Sequence, residues 1–99
     1  MKSARMVIGA CTLELSLPGN GSLKGKRQVI KSLLARLRNE FNVSVAEIGA
    51  QDQWQSAIIG AVCVSSDSTY VHGLLVRLAH WVEETRLDCT LVDYQIEIL

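Results

Sequence analysis

Residues 6–17, MVIGACTLELSL, alternate: Val7, Cys11, Leu13, Leu15 and Leu17 share one face, and Ile8, Ala10, Thr12, Glu14 and Ser16 the other. A period of two predicts a β-strand with one covered face. Pro18-Gly19-Asn20-Gly21 then breaks it with consecutive turn formers. The period changes after Ser22, whose hydroxyl suits a helix N-cap. Val29, Ile30, Leu33, Leu34, Leu37 and Phe41 recur at helical spacing, predicting a core-facing amphipathic helix to about Phe41. Residues 43–50 read as a second strand and Gln51-Asp52-Gln53-Trp54 as the turn after it. Residues 56–64, SAIIGAVCV, are apolar at almost every position, the pattern of a central strand covered on both sides. Ser65 to Ser68 offer caps, Asp67 foremost. The second helix, to about Thr85, has Tyr70, Val71, Leu74, Leu75, Leu78, Trp81 and Val82 as its apolar stripe. Residues 89–98 alternate again, with Val92, Tyr94, Ile96 and Ile98 inward and Asp93, Gln95 and Glu97 outward.

The order βαββαβ contains two β-α-β units. Right-handed crossovers turn them into a ferredoxin-like α+β sandwich: a four-stranded antiparallel sheet, order 4-1-3-2, with both helices on one face. Residues 1–99 make one such domain. Ile8, Ala10, Thr12 and one face of 56–64 then lie on the side without helices. That face is more apolar than a solvated one should be, so a homodimer through it is expected, with Ile8, Ala10, Ile59 and the turn residue Trp54 as interface residues. For Trp54 the competing reading is local packing on its own hairpin.

Composition narrows the class. No apolar run approaches the ~18 residues of a membrane span, and the first five residues do not open a signal peptide, so a soluble cytoplasmic protein without membrane partners is expected. Cys11, Cys63 and Cys89 are odd in number, lack CxxC spacing and sit in apolar segments, which reads as three buried thiols. Net charge is zero but segregated. Through Arg38 there are eight cations against Glu14, a balance of +7. From Glu40 there are nine acids against Arg77 and Arg86, a balance of −7. Such asymmetry points to an electrostatic partner.

The opening MVIGACTLELSLPG, the segment SLKGKRQVIKSLLARLRNEFNVSVAEIG, the DQWQ turn and AIIGAVCVSSD after it together resemble the YlxP-like family of small uncharacterised bacterial proteins over nearly the whole chain. The resemblance implies a ferredoxin-like fold and no established activity. It also implies a ribosome or RNA connection by gene neighbourhood, since the family's genes often adjoin those of transcription elongation, translation initiation and ribosome maturation factors. The family usually has Glu where this chain has Gly25. That Glu, three residues after Ser22, would complete a capping box, so its loss predicts a frayed first helical turn, weaker by roughly 1 kcal/mol.

The leading candidate site is the basic entry of the first helix: Ser22, Lys24, Lys26 and Arg27, continuing to Lys31 and Arg38, with Arg36 nearby. Lys24, Arg27, Lys31 and Arg38 fall within a ~60° arc, and a cationic row beside free helix amides can follow phosphates. A plain solvated helix face is the alternative. A P-loop is excluded, because Asn20 stands at its first glycine position and Arg27 at its Ser/Thr position. RNA-recognition-motif stacking is disfavoured because neither the first nor the third strand carries an aromatic residue. His72 and His80 are set ~80° apart around the second helix and cannot chelate as an i,i+4 pair. Asp93 and Glu97 read as solubilising edge charges. No catalytic, metal or cofactor constellation stands out. The expectation is a nonenzymatic accessory protein acting on RNA or the ribosome. The alternatives are a homodimeric ligand-sensing or protein-interaction scaffold, and an enzyme with a small site near Gly19–Arg27.

Overall fold

The computed structural model describes residues 4–85 and 88–99; the cations Lys2 and Arg86 lie outside them. Its elements are β1 (Val7–Ser16), α1 (Leu23–Glu40), β2 (Ser44–Gly49), β3 (Ser56–Ser65), α2 (Ser68–Glu84) and β4 (Thr90–Ile98). They form one four-stranded sheet of order β2-β3-β1-β4, every neighbouring pair antiparallel. This is the expected order, read from the other edge.

β1 pairs with β3 in unbroken register from Val7↔Ser65 to Ser16↔Ser56. Its alternation is realised: Val7, Cys11, Leu13, Leu15 and Leu17 are buried beneath the helices, and Thr12 and Glu14 are exposed on the free face. The register also settles β3. Ile59 lies opposite Leu13 and is fully buried, so it belongs to the core and not to the free-face interface expected of it. A run apolar at every position carries no alternation to mark which residues face which way. Val62 and Val64 are 43% and 59% exposed, so β3 is central in the sheet yet covered on one side only. In β4 the register to β1 slips between Glu14 and Leu15. Val92 falls in this bulge and is exposed, whereas the expectation had it facing in.

α1 packs over β2, and α2 packs over β1, β3 and β4. Leu33, Leu37, Leu75 and Leu78 are fully buried, each worth about 1.5–3 kcal/mol of transfer free energy. β1 passes close beneath α2 at Gly9, where a Cβ would collide with Val71 Cγ1 and stand 2.9 Å from Leu75 Cδ1. The far ends of the helices meet through Phe41 and Trp81, edge to face at 6.2 Å. Tyr70, counted in the α2 stripe, is instead exposed at the start of the helix.

Both expected caps form. Ser22 Oγ accepts from Gly25 N at 3.0 Å, and Asp67 Oδ1 from Thr69 N at 3.0 Å. The first turn of α1 is formed, with Lys26 N donating to Ser22 O at 3.1 Å. In place of a Glu at position 25, the Asn20 side chain fills that space: a Cβ on Gly25 would overlap Asn20 Oδ1. Asn20 Nδ2 donates to Ser22 O at 2.7 Å and to Trp54 O at 2.6 Å, and Gln55 Nε2 to Asn20 O at 3.1 Å. The β1–α1 loop and the β2–β3 turn are thereby joined into one unit at this end of the sheet.

Candidate nucleic-acid interface

α1 carries six cations against Glu40. Lys24, Arg27, Lys31 and Arg38 are exposed and form the expected row, ~21 Å long at 1.5 Å per residue. Arg36 is exposed on another flank, ~120° from Lys24. Arg38 Nη2 donates to the Val45 carbonyl of the edge strand β2 at 3.3 Å. Ser22 has its hydroxyl engaged in the cap.

Lys26 is not part of this surface. It is 2% exposed, its Nζ donates to Ala50 O at 2.6 Å and lies 3.0 Å from Glu47 Oε2. The signal was present in the helical spacing. Lys26 sits ~200° from Lys24, in the middle of the arc that holds Val29, Leu33, Leu37 and Ile30. A lysine at the centre of an apolar stripe must be buried, and burial demands a counter-charge. Glu47 supplies it from β2, two residues after the buried Val45 and so on the same face. Ala50 adopts the left-handed φ of 59° and accepts at one carbonyl from both Lys26 and Gln53 N. These two bonds hold a backbone conformation that costs a non-glycine residue roughly 1 kcal/mol.

Between α1 and β2 lies a groove of about 420 Å³ lined by Arg27, Ile30, Lys31, Leu34, Arg38 and Glu47. Because the Lys26–Glu47 charges cancel, the groove presents three uncompensated cations. The opposite side of the molecule has the other sign. On the free face of the sheet, Glu14 stands opposite Asp93, and Glu97 opposite Ala10. Trp54 is 54% exposed at the β2–β3 turn. His72 and His80 are exposed on α2. Among the described residues no group of three or more His, Cys, Asp or Glu comes together as a metal site, and no helix is long and apolar enough to cross a membrane. Burial raises all three thiol pKa values, that of Cys11 to about 11, with Cys63 beside it adding to the shift; Asp88 adds to the effect of burial at Cys89.

The sheet order and the placement of both helices define a ferredoxin-like α+β sandwich. The designed protein Foldit4 shares this architecture, with a TM-score of 0.53 at 12% identity over 96% of this chain and 97% of that one. Another design, Ferredog-Diesel, gives a TM-score of 0.43 at 8% identity over 98% and 89%. Within that class the chain belongs to the family described as a protein of unknown function, DUF503, whose model matches residues 8–96. It is 40% identical over 77 residues to the uncharacterized protein YlxP of Bacillus subtilis (strain 168), covering 78% of this chain and 84% of that protein.

Proposed function

We propose that this protein is a nonenzymatic accessory factor that binds the phosphate backbone of RNA, ribosomal RNA included, through the exposed basic face of α1. The observation that carries the reading is the polarity of the surface. Lys24, Arg27, Lys31 and Arg38 line up on one helix, while Glu14, Asp93 and Glu97 occupy the free sheet face. A polyanion is drawn to the first surface and repelled by the second. The face on which other sandwiches of this kind stack bases here carries acids on β1 and β4, an apolar strip on β3 and no exposed aromatic on β1 or β3, so the helix is the side that meets RNA.

The test is binding to ribosomal subunits and to a mixed RNA pool across a salt series. Four phosphate contacts predict a log–log salt slope of about −3 on single strands. A Lys24→Glu/Arg27→Glu/Lys31→Glu variant should lose most of the affinity and flatten the slope. Binding that ignores salt, or survives this triple reversal, refutes the reading.

A second reading, compatible with the first, rests on the exposure of Met6, Val62 and Val64 beside the half-buried Ile8 and Ala10. This apolar strip lies on β3 and its neighbours, away from the acids of β4. A symmetric dimer centred on the strip would bury it while keeping like charges apart. Sedimentation of the native protein beside Val64→Glu checks it: a monomer in both cases removes the dimer.

A further inference from the structure

The groove between α1 and β2 contains one residue that a phosphate-tracking face has no use for. Glu47 lines it together with Arg27, Lys31 and Arg38; with its charge cancelled by Lys26 it leaves those cations free, but an acceptor has no phosphate donor to meet. Yet Glu47 is held firmly. Its Oε2 is buried against the Lys26 ammonium at 3.0 Å, and among the described residues no other side chain pairs with the carboxylate. The side chain retains 23% exposure and lines the groove, and Oε2 is the oxygen that is shut in, which leaves Oε1 as the acceptor a ligand can reach. A carboxylate offers about four lone-pair sites; those on Oε2 are shut in beside Lys26, and those on Oε1 remain. What remains is a fixed acceptor, with the aliphatic surface of Ile30 and Leu34 and three cations around it.

RNA offers such an acceptor donors only from its sugar hydroxyls and from the N–H groups of its bases, and the bases differ. Guanine presents two adjacent donors, N1–H and the N2 amino group. Adenine and cytosine present an amino group next to a ring nitrogen acceptor, which a carboxylate repels. Uracil presents a single imide N–H between two carbonyls. We propose that the groove is a guanine subsite: the base lies on Leu34 and the rim of Ile30, its N1–H and N2 amino group converge on the single open oxygen of Glu47, Oε1, and the attached phosphate sits on Arg27, Lys31 or Arg38. This rests on the RNA-binding reading and deepens it, adding a base preference to backbone contacts. The same chemistry is carried by a guanine within a strand and by a free guanosine phosphate.

Anisotropy of labelled nonamers tests it with the native protein: nine uridines, and the same strand with a central guanosine, adenosine, cytidine or inosine. A single guanosine should raise affinity about fivefold to tenfold, the lower end of what a two-donor base contact provides, because both donors share one oxygen. Inosine, which lacks the N2 amino group, should lose most of that gain. Glu47→Gln should abolish the preference while keeping salt-dependent binding to the uridine strand. Because that variant leaves Lys26 without its counter-charge, the inosine substitution is the readout that does not depend on folding. Equal affinity for all five strands overturns the subsite and leaves the RNA reading standing. Displacement of the guanosine strand by GMP but not by AMP assigns the site to free nucleotides as well; failure of GMP to displace it assigns the site to guanine within a strand. If no strand binds, the RNA reading falls. Ligand-observed NMR with GMP, AMP, CMP and UMP then decides the subsite, and the absence of a GMP preference overturns it.

Discussion

The buried ammonium of Lys26 should be the most consequential charge in the fold, and a double-mutant cycle with Glu47 measures it. Lys26→Met keeps the apolar stem and removes the donor to Ala50 O at 2.6 Å and the partner of Glu47 at 3.0 Å. A charge-assisted hydrogen bond contributes about 1.5–3 kcal/mol. The direct attraction at this separation is about 5 kcal/mol at an effective dielectric near 20, most of it offset by the desolvation of both groups. Removing one partner of a fully buried pair costs about 3–5 kcal/mol. After Lys26→Met the group left behind is Glu47, which is 23% exposed and can recover water, so the expected loss is about 2–3 kcal/mol.

Glu47→Gln leaves the opposite orphan. Lys26 is only 2% exposed and has no route to solvent, so this variant should lose at least as much as Lys26→Met. The double variant should be less damaging than the sum of the two by at least about 1.5 kcal/mol. Urea unfolding followed by tryptophan fluorescence and by circular dichroism reads all three. With a slope of about 1 kcal/mol per molar, as for small domains, Lys26→Met should move the midpoint down by about 2–3 M. A coupling below about 0.5 kcal/mol, or a Lys26→Met variant clearly worse than Glu47→Gln, would refute the assignment of the pair as a buried structural contact.

Two further outcomes follow from local geometry. Completing the capping box with Gly25→Glu should not stabilise this chain by itself, because the new Cβ overlaps Asn20 Oδ1 and displaces the bonds from Asn20 to Ser22 O and Trp54 O. Adding Asn20→Ala should recover about 1 kcal/mol through the completed capping box, and thermal melts of the single and double variants compare them. The raised Cys11 thiol gives a pH dependence. Its folded pKa of about 11 exceeds the ordinary value of 9.0, so the folded state favours the neutral thiol. That contribution is fully present below pH 9 and is lost as pH rises from 9 to 11. Denaturant midpoints should fall over this window, and Cys11→Ala, although less stable throughout, should fall less steeply.

How far the fold and the site could be read from the chain differs by residue, and for physical reasons. β1 and the core-facing part of β4 alternate, α1 and α2 repeat at helical spacing, and Ser22 and Asp67 announce their helices, so the elements and their order were legible. β3 was legible as a strand but not as to which residues face the core, because only its pairing with Leu13 turns Ile59 inward. The bulge at Val92 is set by a slip between Glu14 and Leu15, and no residue in β4 marks it. The site divides in the same way. The row Lys24, Arg27, Lys31 and Arg38 follows from helical angles alone. Charge alone makes Lys26 one more surface cation; its helical angle puts it among Leu33 and Leu37. Once it is turned inward, Glu47 is drawn to it, β2 is fixed against α1, and the groove acquires both its cationic wall and its one acceptor. A charge buried for stability thus shapes the surface on which the exposed charges act, and this explains why the groove could not be found by counting cations along the chain.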